Sequence, residues 1–508
     1  MISIWNRNVF CKKDVIKGRN FLIVVGNWTG IDDTVVFANI YGPQLLSEKR
    51  TLWKQLLELM QKINGIWIYF GDFNVVRRME ERCNSSFCPS SAASFNQFIT
   101  QAGLFDFNMG GSKFTYMSRV GAKLSKLDRF LVCSRFLSSF PSAAVTAHPR
   151  ELSDHSLVSL ISSPVDYGAP PFKFFNSWLL NDGINQVVSD ACSNFRGHGS
   201  PDKFLAAKLR FIKKCLKKWR QRERQKENAI LDTNKVKVEM LDKAAETRSL
   251  TDQEMAEYSQ GMHKIMELQK IKTLDLKQKA RIRWTVDGDE NTKFFHGHIN
   301  TKNRKNRING LLINGRWTTD KNEIKLETKS FFENKFREHR ETRPALISPH
   351  FRKISMMDAI RLEAPFTYEE IKAAVWACGR DRAPGPDGFN FKFIKHFWGL
   401  RSGDIIRFVR YFEDKGMIEN GCNSSVITLV PKCKDPTSLA DFRPISLIGC
   451  IYKIVSKALS NRFKKIIGSV IDETQSAYVE GRNILDGPLI VNEVCSWAKK
   501  IKKKRSSL

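Results

Sequence analysis

The sequence predicts a multidomain chain. An α/β layered sandwich spans residues 1–162, a linker 163–202, a basic helical connector 203–360, and an α+β region 361–508. Three observations carry this prediction. Short apolar runs bracket one helix-periodic segment near the start. A dense run of Lys and Arg then follows a helical repeat. The last third mixes Pro/Gly-rich turns with helical and extended apolar stretches.

In the first region, "FLIVVGNWTG" and "DDTVVFANIYGP" read as strands joined by a hairpin. Trp53, Leu56, Leu57, Met60 and Ile63 recur at helical spacing, and Asn64-Gly65 supplies the stop. The strand "IWIYF" comes next, so the order is strand, helix, strand. "SSAASFNQFITQAGL" predicts a second helix with Ser91 or Ser94 as its cap. "SKFTYMS", "KLDRFLVC" and "HSLVSLIS" add further β pieces. "SSPVDYGAPPF" reads as the linker.

From 203 to about 283, Leu205, Leu209, Ile212, Leu216 and Trp219 step by four and three and form an apolar seam. Between them lie Lys213, Lys214, Lys217 and Lys218, and Arg220 follows directly. A solvated helical hairpin and a nucleic-acid track both fit that pattern. Further on, Thr367 and Glu370 are spaced as a capping box. No internal repeat is visible.

The 508 residues are 42% hydrophobic, so a packed core is available and the chain is not a disordered tail. Lys+Arg number 83 against 53 Asp+Glu, a net charge of +30, which predicts a polyanionic partner such as DNA or RNA. The 11 Cys contain no CxxC pair, which suits reduced thiols of an intracellular protein, in nucleus or cytoplasm, rather than a zinc site. No apolar window is long enough for a membrane span, and "MISIWNRNVFCKK" has no signal-peptide core.

The candidate chemistry begins in "WIYFGDFNVV". Asp72 and Asn74 stand at the end of a buried strand, two residues apart and therefore expected on one face. A carboxylate and an amide placed so can hold a hard cation and orient a water. Ser153-Asp154-His155 also precedes an apolar run, and a His beside an acid suits a base or a phosphate contact. Asp128 interrupts an apolar strand and needs a partner, for which a His is the usual one. Singly, a GDxN is more often an ordinary turn, and an Asp-His more often a cap.

In the order "NIYGP", "GDFN", "SKLDRF", "SDH", the four motifs resemble the endonuclease/exonuclease/phosphatase family. The variant resembled is the nuclease of LINE-type (non-LTR) retrotransposons, particularly plant ones. The resemblance implies that Asp72 and Asn74 orient the attacking water and the scissile phosphate. It implies that His155, supported by Asp128, contacts the phosphate, that Asp154 lies beside the metal, and that Tyr41 and Asn39 line the same pocket. The implied reaction is Mg²⁺-assisted hydrolysis of a DNA phosphodiester. The family domain opens with two strands bearing an Asn and a metal-binding Glu, and this chain starts after them. Asp32-Asp33 sits in a turn and does not replace the Glu. The expectation is an N-terminally incomplete domain with an incomplete metal site and an unpaired sheet edge.

"APGPDGF", "LVPK", "DFRPISL" and "QSAYVEGRNILDG" together resemble the fingers part of the reverse transcriptase of the same elements, and "GDENTKFFH" resembles their connector. The resemblance makes Lys432 and Arg443 contacts to incoming nucleotide or template. Gln475 and Arg482 become shapers of the template track. The family's palm carboxylates have no counterpart, since Asp486 and Glu493 lie in a helical stretch. The basic run "KKIKKKR" reads as the lead-in to a palm strand, or as a nuclear localisation signal. The sequence thus predicts a truncated RNA-directed DNA polymerase and endonuclease whose full-length form nicks DNA and reverse-transcribes RNA at the nick. This chain is expected to be catalytically defective. The alternatives are a nonspecific nucleic-acid-binding protein and a decayed product without function.

Overall fold

A computed structural model describes residues 1–118, 122–150, 153–162, 168, 170–281, 292–338, 342, 348, 351–380, 382–433 and 435–505. The chain divides into two units, each built from separated stretches. The first comprises 1–169, 279–338 and 429–445. The second comprises 170–278, 339–428 and 446–508.

The first unit opens with strands β1 (Phe10–Lys17), β2 (Phe21–Trp28) and β3 (Thr34–Tyr41). Helix α1 (Leu46–Lys62) leads into β4 (Ile66–Asp72). Then come β5 (Arg82–Cys83), α2 (Pro89–Gln101), β6 (Phe105–Asp106), β7 (Met109–Gly111), β8 (Tyr116–Met117) and β9 (Leu124–Ser125). The series ends with β10 (Asp128–Val132), α3 (Ser134–Ser139), β11 (Ala144–Ala147) and β12 (Val158–Ile161). One mixed sheet runs β1-β2-β3-β4-β10-β6, a second runs β12-β11-β7, and a third runs β5-β9-β8.

Alternation along β4 sorts its side chains to two layers. Trp67 and Tyr69 stack on each other at 5.3 Å, and Phe98 of α2 meets Tyr69 edge-on at 6.1 Å. Trp53 of α1 stacks on Phe98 at 4.9 Å, so both helices cover this face. On the other face Phe70 stacks on Phe130 at 5.8 Å. An apolar cavity of about 400 Å³ opens there, lined by Phe37, Ile68, Phe70, Phe130 and Leu160. The layered α/β sandwich expected from the sequence is thus the architecture of this unit.

Beneath β10 lies an ionic core. The fully buried Arg129 pairs with Glu81, and with Asp106 at 3.0 Å, and it donates to the Lys126 carbonyl at 3.0 Å. Arg77 also reaches Asp106 at 3.0 Å. Buried Lys126 pairs with Asp435 at 3.2 Å, and the other Asp435 carboxylate oxygen accepts from the Met109 N–H at 2.8 Å. The stretch 429–445 is held in the unit by these bonds and by Leu439 and Phe442, which pack with Leu311.

Two local expectations differ in the structure, and one strand lies outside any of them. β1 was not anticipated, because it is mostly exposed and carries Cys11, Lys12, Lys13 and Asp14 rather than apolar residues. Its charges and the irregular register between Lys12 and Asp14 suit an edge strand, so this edge of the sheet is not a bare apolar one. Helix α2 is not capped by Ser91 or Ser94. It starts at Pro89, where the absent N–H costs nothing. Residues 163–202 are not merely a linker. They contain α4 (Gly183–Asn194) and bury Phe174, Trp178, Ile184 and Val188.

In the second unit α5 (Pro201–Ala245) and α6 (Asp252–Ala280) form the expected basic helices, and Leu231, Val238, Ile265 and Leu268 close a small core between them. The seam residues Leu205, Leu209, Ile212 and Leu216 are buried in the main core with Phe389, Phe393 and Ile454. The capping box of Thr367 and Glu370 forms as expected. "GDENTKFFH" lies in part outside the described residues. No helix among the described residues is long and apolar enough to cross a membrane.

Replacing Arg129 with Met would leave Glu81 and Asp106 buried without their main counter-charge. A loss of about 3–5 kcal/mol is expected. Hydrogen exchange at the β4 and β10 amides measures it, and unchanged protection would show the ionic core to be dispensable.

Candidate active site

Three strand ends meet in one row. β3 and β4 are parallel with Tyr41 opposite Asp72, and β10 is antiparallel to β4 with Asp128 opposite Asp72. Two glycines permit the crossing chains to approach. A Cβ on Gly71, whose φ is +122°, would stand 2.2 Å from the Ile40 carbonyl oxygen, and one on Gly42 would stand 2.2 Å from that of Phe73. The Gly42 N–H can then donate to the Asp72 carbonyl at 2.7 Å.

Asp72 and Asn74 do not share a strand face, as the spacing had suggested. The strand ends at Asp72, and Asn74 lies beyond it in the left-handed region with φ +51°. The Asp72 carboxylate accepts from the Asn74 N–H at 2.8 Å, a short-range turn that Asn tolerates well. The Asn74 amide donates to the Gly42 carbonyl at 2.8 Å and accepts from Gln44 at 3.3 Å. Lys49 of α1 donates to the Asn74 carbonyl at 2.9 Å.

His155 reaches the row from a separate loop. Its Nδ1 lies 2.8 Å from the Asp128 carboxylate, which accepts and so fixes the proton on Nδ1. Nε2 has no hydrogen-bond partner among the described residues. Tyr116 bridges to His155, with ring centroids 4.9 Å apart. The fully buried Thr115 hydroxyl accepts from the N–H groups of Leu127 and Asp128, each at 2.9 Å, and its carbonyl accepts from Ser156. Asp154 is exposed, and among the described residues its carboxylate accepts a single 3.4 Å bond, from Ser153.

Burial pushes the Asp72 carboxyl above the usual range, and the like charge of Asp128 adds to this, against the stabilising Asn74 N–H. The bond to Asp128 holds the His155 imidazolium above its ordinary value, against the effect of burial. Burial pushes the Lys49 ammonium down, with Arg82 in the same direction. Directly opposed carboxylates repel. Here the charges of His155 and Lys49 offset that repulsion.

The structure thus brings Asp72, Asn74, Asp128 and His155 together, with Tyr41 exposed at the end of the same row. Asn39 sits two residues earlier on β3, opposite Phe70, and donates to the Ile2 carbonyl at 3.2 Å. Lys49, Thr115 and Tyr116 escaped the sequence reading. Lys49 had a signal, since it falls on the buried stripe of α1 with Leu52, Trp53 and Leu56.

The remaining candidates stand elsewhere. Lys432 is exposed and donates to the Ala440 carbonyl at 2.8 Å, and Arg443 is exposed on the strand Phe442–Ile448. Both fall in the first unit, whereas Gln475 and Arg482 fall in the second. The Arg482 guanidinium is occupied by the carbonyls of Ile471, Asp472 and Gln475, and the Gln475 amide donates to Ala477. Lys214, Lys217 and Lys218 are exposed on α5. Half-buried Lys213 lies over Phe172, and Arg220 pairs with Glu227 at 2.6 Å.

No family model matches the chain. Over 488 residues, 91% of its length, it is 26% identical to the uncharacterized 149 kDa protein of transposon TX1 from Xenopus laevis, and it spans 36% of that protein. Among solved structures, the endonuclease domain of TRAS1, a telomere-specific non-LTR retrotransposon, is 18% identical. That match covers 29% of this chain and 67% of that one, at a TM-score of 0.23. The Xenopus laevis APE2 catalytic domain is 17% identical, covering 28% of this chain and 55% of that one, also at 0.23.

Two outcomes test these electrostatics. Because the His155 value is raised, its pairing adds stability that is complete below about pH 6.5 and is lost as pH rises through the raised value. Asp128→Asn should bring the His155 titration, followed by NMR of the imidazole, down toward about 6.5. Asp72 has the opposite sense: ionising it costs stability above its raised value. Asp72→Asn should therefore melt higher than the native chain at pH 7, and the gain should vanish below about pH 3.9.

Proposed function

We propose that the first unit is the phosphodiester-cleaving domain of a non-LTR retrotransposon protein that acts on DNA. The convergence of Asp72, Asn74, Asp128 and His155 carries this reading, because three separated stretches place them on one row. The likeness to the transposon TX1 protein over most of the chain supports a mobile-element origin. His155 Nε2 would contact a phosphate oxygen, Asp128 would hold the ring, and Asp72 and Asn74 would orient the phosphate and the attacking water.

The resemblance also implies Mg²⁺. Among the described residues no group of three or more His, Cys, Asp or Glu could hold a metal ion. The donor set here does not fit that ion, with Asp154 contributing one exposed carboxylate. The chain is accordingly read as a slow nicking enzyme. The motifs around Lys432, Arg443, Gln475 and Arg482 are read as the fingers of the same element's reverse transcriptase, which would contact nucleotide and RNA template.

A second reading is nonspecific nucleic-acid binding. It is favoured by the charge of +30 and the exposed lysines of α5.

Purified protein with supercoiled plasmid and Mg²⁺ separates the two. Slow nicking is expected, reduced at least about a hundredfold by Asp72→Ala and by His155→Ala. Nicking that survives both substitutions, or tight DNA binding with no nicking, would overturn the first reading.

A further inference from the structure

The second unit contains a pocket of about 460 Å³ that the proposed chemistry does not use. That volume lies in the range of small-ligand sites. Its lining combines Phe172 and Trp178 with Lys217, Arg220, Arg224 and Asn228. Lys213, Lys217, Arg220, Arg224 and Asn228 step by four, three, four and four along α5, which is one stripe of a helix. Lys217 and Arg224 are therefore about 10 Å apart along the axis.

The charges sort into satisfied and open. Arg220 is held by Glu227 at 2.6 Å and lies 5.9 Å over the Trp178 ring. Glu223 is engaged by Lys226 at 2.9 Å and by Asn181 at 3.2 Å. Lys213 lies 5.5 Å over the Phe172 ring. The two carboxylates of this stretch are thus neutralised, while Lys217 and Arg224 stand exposed and pair with no carboxylate among the described residues. Trp178 is only 8% exposed, yet its indole N–H meets no acceptor among the described residues. A buried donor left unmet is costly, and an acceptor from a ligand would satisfy it.

We infer that this pocket takes one unpaired base of a single-stranded polynucleotide. Phe172 supplies the stacking surface, the Trp178 N–H meets an acceptor on the base or its backbone, and Lys217 and Arg224 receive the flanking phosphates. A duplex cannot present a base in this way, whereas single strands are bound by stacking combined with a cationic track. The inference deepens the nucleic-acid reading above and rests on it. It adds a site, a ligand form and the aromatic residues to the basic stripe.

The test is fluorescence anisotropy with end-labelled 20-mers of oligo(U) and oligo(dT), an abasic strand of the same length, and a duplex. The native chain should bind the abasic strand about tenfold more weakly than the base-bearing ones. Phe172→Ala should weaken single-strand binding about tenfold and leave duplex binding unchanged. Trp178→Phe keeps an aromatic ring and removes the donor; the smaller ring lowers the melting temperature, so binding is read well below that temperature, where single-strand affinity should fall several-fold and duplex affinity should hold. Arg224→Ala should reduce the salt slope by about one. The ratio of oligo(U) to oligo(dT) affinity identifies the natural strand as RNA or DNA. Single-strand binding unchanged by both aromatic substitutions, or an equal loss on the duplex, overturns the inference while leaving plasmid nicking untouched. Absence of binding to every nucleic acid overturns the underlying reading as well.

Discussion

The candidate site depends on a charge that faces away from it. Arg129 follows Asp128 on β10, and a strand sends adjacent side chains to opposite faces. Asp128 reaches the site because Arg129 reaches the ionic core, where Glu81 and Asp106 receive it out of contact with water. A register slip of one residue would exchange the two, placing a carboxylate among carboxylates and a guanidinium against His155. The cost of burying mismatched charge makes that slip unfavourable. The ionic core therefore sets the pairing of β10 with β4, and with it the alignment of Asp128 with Asp72.

Around that alignment the site is held at some cost to stability. Asp72 faces Asp128, Asn74 takes a left-handed conformation, and Lys49 keeps its ammonium buried without a carboxylate partner among the described residues. Each departure is compensated locally. Asp72 receives the Asn74 N–H, Asn74 is tied to Gly42, Gln44 and Lys49, and Asp128 receives His155. Strain and opposed charges concentrated at one row, with bonds that over-determine it, are the pattern that the proposed site would require.

Much of this was legible in the sequence. Alternation and helical period gave β2, β3, α1 and β4 because each buries one face against the core, and the Thr367 capping box follows from local chemistry alone. Asp128 was correctly expected to need a His, since an acid in an apolar strand must be partnered. The rest depended on contacts between distant residues. Nothing local marks β1 as a strand, because an edge strand need not alternate. The role of Thr115 lies in the N–H groups of residues 127 and 128, which no spacing announces. The two-residue spacing of Asp72 and Asn74 predicts a shared strand face, whereas a turn joins them. Residues 163–202 looked like a linker because Pro and Gly open the stretch, but Phe174 and Trp178 were free to enter a core contributed by residues far downstream.

The Asp435 bonds carry a consequence for synthesis. The carboxylate that neutralises buried Lys126 and accepts the Met109 N–H is encoded hundreds of residues after them. During translation the sandwich emerges early, yet Lys126 lacks its counter-ion until the ribosome has passed residue 435. The nascent sandwich must wait through the synthesis of most of another folding unit before its last ion pair can close. A free-standing piece ending near residue 162 would remain in that waiting state permanently.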